Sequence, residues 1–171
     1  ELAAAWIAHH PEAVDLGLTD MDAVGDVAAA IRLGQSIGMP PQNLVAADAT
    51  GSIGWTVTGR LPRRSGFFAR APADWSIAPG VGWNGWLEGD ERPQRVDPPG
   101  GAIWTANARL VGGAELARLG DGGYALGARA GQIRDGLAAR ERLDETAMLE
   151  VALDDRAIFL ARWRERLLAV L

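Results

Sequence analysis

The chain has 171 residues, 48% of them hydrophobic and 23% charged, which is a globular composition with enough length for one ordinary domain and excludes a disordered polyelectrolyte. A net charge of −5 and a pI near 5.0 argue against nucleic acid or an anionic membrane as partner, since both call for clustered basic surface. Cysteine is absent, which removes disulfides, thiolate catalysis and Cys-based zinc sites, and no apolar run approaches the ~18 residues that span a bilayer.

In chain order, the apolar Leu2 to His9 reads as a short buried strand, with His9-His10 at its end rather than as metal ligands. A helix is expected to start at Thr19, with an acid three residues on, and to carry Met21, Val24, Val27, Ala28 and Ile31 at helical spacing until Gly38 and Pro40-Pro41 end it. Next comes the strongest local signal. Leu44 to Ala47 is small and apolar, Asp48-Ala49-Thr50-Gly51 is turn chemistry, and Ile53, Trp55 and Val57 alternate at strand period, which predicts a buried β-hairpin. Asn43 opens this hairpin. A buried amide must satisfy both its oxygen and its NH2, so Asn43 is either locked into structure or aimed at something that binds. Arg60 to Gly101 is rich in Pro, Gly, Trp and Arg and reads as a long irregular segment. Ala102 to Ala106 reads as a strand, and helices follow over Ala114 to Leu119, Ala125 to Arg140 and Glu145 to Leu171, the last interrupted near Asp154-Asp155.

The pattern Asn43-x-x-x-Ala47-Asp48-x-x-Gly51-x-Ile53-Gly54-Trp55 resembles the penicillin acylase (penicillin amidase) family of N-terminal-nucleophile hydrolases. Gly59-Arg60-Leu61-Pro62-Arg63-Arg64, Gly82-Trp83-Asn84-Gly85-Trp86, the run Asp97 to Arg109, Gly123-Tyr124 with Arg129 and Ile133-Arg134, and Leu153 to Arg156 follow in the family's order, so the similarity covers most of the chain. The resemblance implies an α+β fold: part of the αββα architecture of N-terminal-nucleophile hydrolases, with a β-hairpin core and long loops followed by a helical C-terminal half. Residues 1–171 are then a single partial domain, a central segment of the nucleophile-bearing beta chain. Family members expose a Ser, Thr or Cys as nucleophile, and Glu1 is none of these, so this piece alone is expected to be inactive.

The same resemblance implies amide hydrolysis with Asn43 as oxyanion donor. It places Arg64 near the mouth of the substrate pocket, with Arg63 as the neighbour if the loop slips by one; a guanidinium there pairs with a substrate carboxylate in fork geometry, or is a solvated surface arginine. Trp55, Trp83, Trp86 and Trp104 belong to a set of seven tryptophans that either line an acyl pocket or fill core, and Trp55 is the candidate substrate contact. Asn107 matches a family asparagine, but Ala108 stands where many members carry a second one. No organic cofactor is implied; calcium belongs to some intact family enzymes, and Asp154-Asp155 is read as a charged helix break. Gly120-Asp121-Gly122-Gly123 lacks the Lys-Ser/Thr of a phosphate loop and reads as an interhelical connection. The expected partners are a small-molecule amide and the remaining segments of the same precursor, with exposed core faces open to homo-oligomerisation and no nucleic acid or membrane. The family implies a periplasmic or secreted enzyme whose acyl group is phenylacetyl-like, dicarboxylic or fatty. The rival is a non-catalytic binding or assembly domain that keeps the scaffold.

Overall fold

In the computed structural model, which describes residues 2–67, 71–120 and 123–171, the chain packs as two compact units. One comprises Glu1–Ile103 with Leu110–Gly123 and the other Trp104–Arg109 with Tyr124–Leu171. Helix and sheet are mixed, as an α+β class requires.

The first unit is built on a helix laid over a small sheet. Helix α1 (Val27–Ser36) begins after Gly25, where the Asp26 carboxylate accepts from the backbone N–H of Ala29 at 2.6 Å. Thr19 is therefore not the cap; its hydroxyl donates to Leu16 O at 2.8 Å within a 3-10 segment, Gly17–Ala23. Val27, Ala30, Ile31 and Gly34 recur every three or four residues and form the buried face of α1. Strands β1 (Asn43–Ala47) and β2 (Ile53–Val57) form the expected hairpin, and β5 (Gln94–Val96) adds antiparallel to the other side of β2. The order β1-β2-β5 makes β2 central and leaves β1 an edge, so β2 is buried while β1 alternates between exposed and half-buried. A uniformly buried hairpin is thus corrected to a buried strand with an exposed partner. The sheet comes close to α1 at Gly54, where a Cβ would meet Val27 Cγ1 at 2.4 Å, so only glycine lets helix and sheet touch there.

The segment expected to be irregular contains a second, two-stranded sheet, β3 (Pro62–Ser65) with β4 (Gly82–Trp86), whose register shifts between Pro62 and Arg64. Neither strand alternates in sequence, and Gly82 and Gly85 take positive φ. Leu2 to His9 is not a strand: Ile7–His9 is a 3-10 turn, and Leu2 is 85% exposed. Ala102 to Ala106 likewise forms no strand among the described residues.

Helix α2 (Gly113–Leu119) completes this unit and is joined to β5 by a forked Arg95–Glu115 pair at 2.9 and 2.5 Å. Arg92 is buried and donates to Val57 O at 2.6 Å at the end of β2. Desolvation, and then the neighbouring charge of Arg60, push its pKa down to about 10. The second unit holds α3 (Ala128–Ala138), α4 (Glu145–Ala152) and α5 (Ala161–Leu168), with the expected interruption after α4. There Arg156 forks onto Asp154 at 2.7 and 2.8 Å and holds that carboxyl well below the ordinary range, so the acidic pair is a charged helix break.

Two hydrogen-bonded polar groups tie this arrangement together. Thr56 is fully buried, donating to Pro93 O at 2.8 Å and accepting from Gln35 Nε2 at 2.9 Å. Thr56→Val keeps the shape and strands both partners, so it is expected to cost about 1–3 kcal/mol in denaturant unfolding. Asp48 is held below its ordinary pKa, first by the Thr50 hydroxyl and then by the backbone N–H of Val27. Its unfolded form therefore binds protons more readily than its folded form. The stability it contributes is present above the ordinary carboxylate range and is lost as pH falls through its depressed folded pKa. Thermal unfolding followed between neutral and acid pH is expected to show a shallower acid loss for Asp48→Asn, which starts less stable at neutral pH.

Candidate active site

The site is built from the hairpin loop outward. Asp48 Oδ1 accepts from the Thr50 hydroxyl at 2.6 Å, Thr50 N at 2.9 Å and Ser52 N at 3.3 Å, while its Oδ2 accepts from Val27 N at 3.2 Å at the start of α1. One carboxylate thus closes the turn and anchors it to the helix. On the other side, Asp97 Oδ1 accepts from Ile53 N at 2.8 Å and its carboxylate from the Ser52 hydroxyl at 2.9 Å. Asp97 has φ of 45°, a left-handed backbone that Asp tolerates better than most residues. With the loop fixed, Asn43 pairs with Val57 and Val45 with Trp55. The open end is closed by Thr58, whose N–H donates to Gln42 O at 2.8 Å and whose hydroxyl accepts from Gln42 N at 3.0 Å.

Asn43 is the first residue of β1 and is exposed. Its Oδ1 accepts from the Trp55 indole N–H at 2.9 Å. Trp55 is only 4% exposed, so a core residue grips the amide of an edge residue.

The two adjacent arginines of β3 serve different neighbours. Arg63 forks onto Glu91, with Nη2 to Oε2 at 2.6 Å, and also donates to Trp86 O at 3.1 Å. The pairing holds Glu91 below its ordinary pKa and raises Arg63. Arg64 Nη1 donates to Leu119 O at 2.6 Å and Arg118 O at 3.2 Å, placing a cation on the carbonyl end of α2, where the helix dipole favours it.

Arg64 also lines a cavity of about 880 Å³ with Phe67, Trp75, Trp83, Leu119 and the chain at Leu2 to Ala5. Phe67, Trp75 and Trp83 form a ladder with centroids 5.4 and 6.0 Å apart. Trp75 lies on Gly82, where a Cβ would stand 3.0 Å from its ring. Of the residues singled out in sequence, the cavity gathers Arg64 and Trp83; Asn43 and Trp55 do not line it. Trp86 donates to Glu12 Oε1 at 3.3 Å and packs edge-on against His10 at 5.2 Å. His10 is therefore an aromatic neighbour and not a strand end. In the other unit, Asn107 Oδ1 accepts from Arg129 at 2.6 Å, and Trp104 is partly exposed. Among the described residues no group of three or more His, Asp or Glu is placed to hold a metal. Asp121 and Gly122 of the glycine-rich loop lie outside the described residues.

Sequence reasoning passed over Phe67 and Trp75, which sit in a Pro- and Gly-rich stretch without periodicity, and read Asp97 only as the start of a family segment. Asp48 was legible as a turn residue, but its bond to α1 was not.

The penicillin amidase family model matches residues 1–170. The chain is 38% identical over 98 residues to "Penicillin acylase 2 proenzyme" of Pseudomonas sp. (strain SE83), covering 55% of this chain and 12% of that protein. It is 31% identical over 124 residues to "Acyl-homoserine lactone acylase QuiP" of Pseudomonas fluorescens, covering 72% of this chain and 15% of the relative. It is 29% identical over 152 residues to the protein of the same name from Pseudomonas aeruginosa, covering 85% and 17%. The chain thus spans between 12% and 17% of the length of these relatives. With a match that runs almost from end to end, the chain belongs to the penicillin amidase family.

Proposed function

We propose that this chain is a working segment of an N-terminal-nucleophile amidohydrolase, cleaving a linear amide of penicillin type or a related acylated amine, and that Asn43 supplies an oxyanion contact. The observation that carries the reading is the placement of Asn43: an exposed amide at the head of an edge strand, in the pattern that resembles the family's, with its Oδ1 bonded to the indole of a buried residue.

In this reading a nucleophile from another part of the precursor attacks the scissile carbonyl carbon. The carbonyl oxygen takes up negative charge, and the Asn43 Nδ2–H donates to it. The intermediate collapses to an acyl-enzyme as the amine leaves, and water then releases the acid. A donor already in place when charge develops stabilises the transition state more than the ground state, which raises kcat rather than affinity. This chemistry requires no organic cofactor.

Arg64 and the aromatic ladder of the cavity form a wall of the substrate pocket, where Phe67, Trp75 and Trp83 offer apolar faces to an acyl chain and Arg64 adds a cation to the lining. The exposed Phe159, Leu160, Trp163, Leu167 and Leu168 of the second unit are covered by the remaining segments of the precursor or by a second copy. Processing of a longer chain fits a relative named as a proenzyme, and export to the periplasm or medium fits the same picture.

The test is Asn43→Ala in the processed enzyme, assayed on a panel of chromogenic acyl anilides. Loss of one oxyanion donor is expected to lower kcat by about 10²–10³ with little change in KM. An unchanged kcat would leave a binding or assembly scaffold as the better account.

A further inference from the structure

We propose that Trp55 is a positioning residue that fixes which way round the Asn43 amide lies, so that the NH2 and not the oxygen is the end presented to the oxyanion; the inference rests on the reading of Asn43 given above. Pairing of Asn43 with Val57 and of Val45 with Trp55 makes Asn43 and Trp55 diagonal neighbours on one face of the hairpin, a distance that a long side chain can bridge. The bridge is the indole N–H to Oδ1 at 2.9 Å.

An indole N–H donates and never accepts, so the amide atom that faces it must be the oxygen. Turning the amide over would set two donors against each other and leave the indole donor of a residue only 4% exposed without its acceptor. The core therefore selects one of the two amide orientations and puts the NH2 on the opposite branch of the planar group. Drawing electron density toward Oδ1 also makes the N–H a better donor. Trp55 acts in this way through Asn43 and not on the substrate itself.

The experiment uses the processed acylase containing this chain, with Trp55→Phe and Trp55→3-benzothienylalanine, the latter keeping the bicyclic shape and replacing only N–H by sulfur. Both are expected to lower kcat about tenfold with KM changed less than about twofold, and to cost less than about twofold when added to Asn43→Ala, because residues acting through one group are not additive. The unfolding midpoint of the sulfur variant is expected to stay close to that of the parent, and it decides the matter if Trp55→Phe fails to fold. A kcat within about twofold of the parent for the sulfur variant overturns the proposal, as does an equal loss in the Asn43→Ala background. If Asn43→Ala itself costs less than about tenfold, the oxyanion reading falls first and the positioning role goes with it.

Discussion

The Asp48 carboxylate is the constraint on which the rest of the first unit depends. Its four contacts, three within the turn and one to the first N–H of α1, decide both the length of the hairpin loop and the point where the helix meets the sheet. Strand side chains alternate, so a slip of one residue would turn every β1 side chain to the other face. Asn43 would then stand on the face away from Trp55. A turn residue five positions from the candidate catalytic group thus sets that group's geometry through register alone.

Legibility in the sequence followed the strength of local chemistry. The hairpin was legible because Ile53, Trp55 and Val57 alternate and Asp48 to Gly51 is turn-forming, and Gly51 does take positive φ. Burial of β1 was not legible, because period-2 patterning cannot say which strand of a pair is central; that depends on β5, whose three residues Gln94–Val96 carry no apolar alternation. The capping motif at Thr19 misled because Gly25 interrupts the periodic run after Val24 and Asp26 offers a better cap. Apolar residues near the start suggested a strand, but a strand exists only with a neighbour, and none pairs there among the described residues. The second sheet was hidden for the opposite reason: Pro62-Arg63-Arg64-Ser65 and Gly82-Trp83-Asn84-Gly85-Trp86 pair through backbone, with their side chains turned to ion pairs and ring packing.

The candidate site residues were named by family pattern, and their connections were not legible. Asn43 and Arg64 stood out through family pattern, yet nothing in spacing links Arg64 to the last carbonyls of α2, more than fifty positions away. Adjacent Arg63 and Arg64 take different partners that spacing does not announce, Glu91 for the one and the last carbonyls of α2 for the other, which also lines the cavity. Trp55 shows the same gap: its strand position was readable, and the acceptor for its indole was not.

A division of labour between β2 and β1 follows from their burial. An oxyanion donor must meet a substrate, so it belongs on an accessible strand, and accessible side chains are free to rotate. Holding such a group still requires a bond to something that cannot move. Tryptophan on the central strand meets that need, because its bulk is fixed by the core while its single polar atom lies at the rim. A serine hydroxyl at the same point, able both to donate and to accept, would not discriminate between the two amide orientations, and a backbone carbonyl would select the opposite one. The sheet thereby converts burial, which is non-directional, into orientation, which the oxyanion role proposed for Asn43 would require.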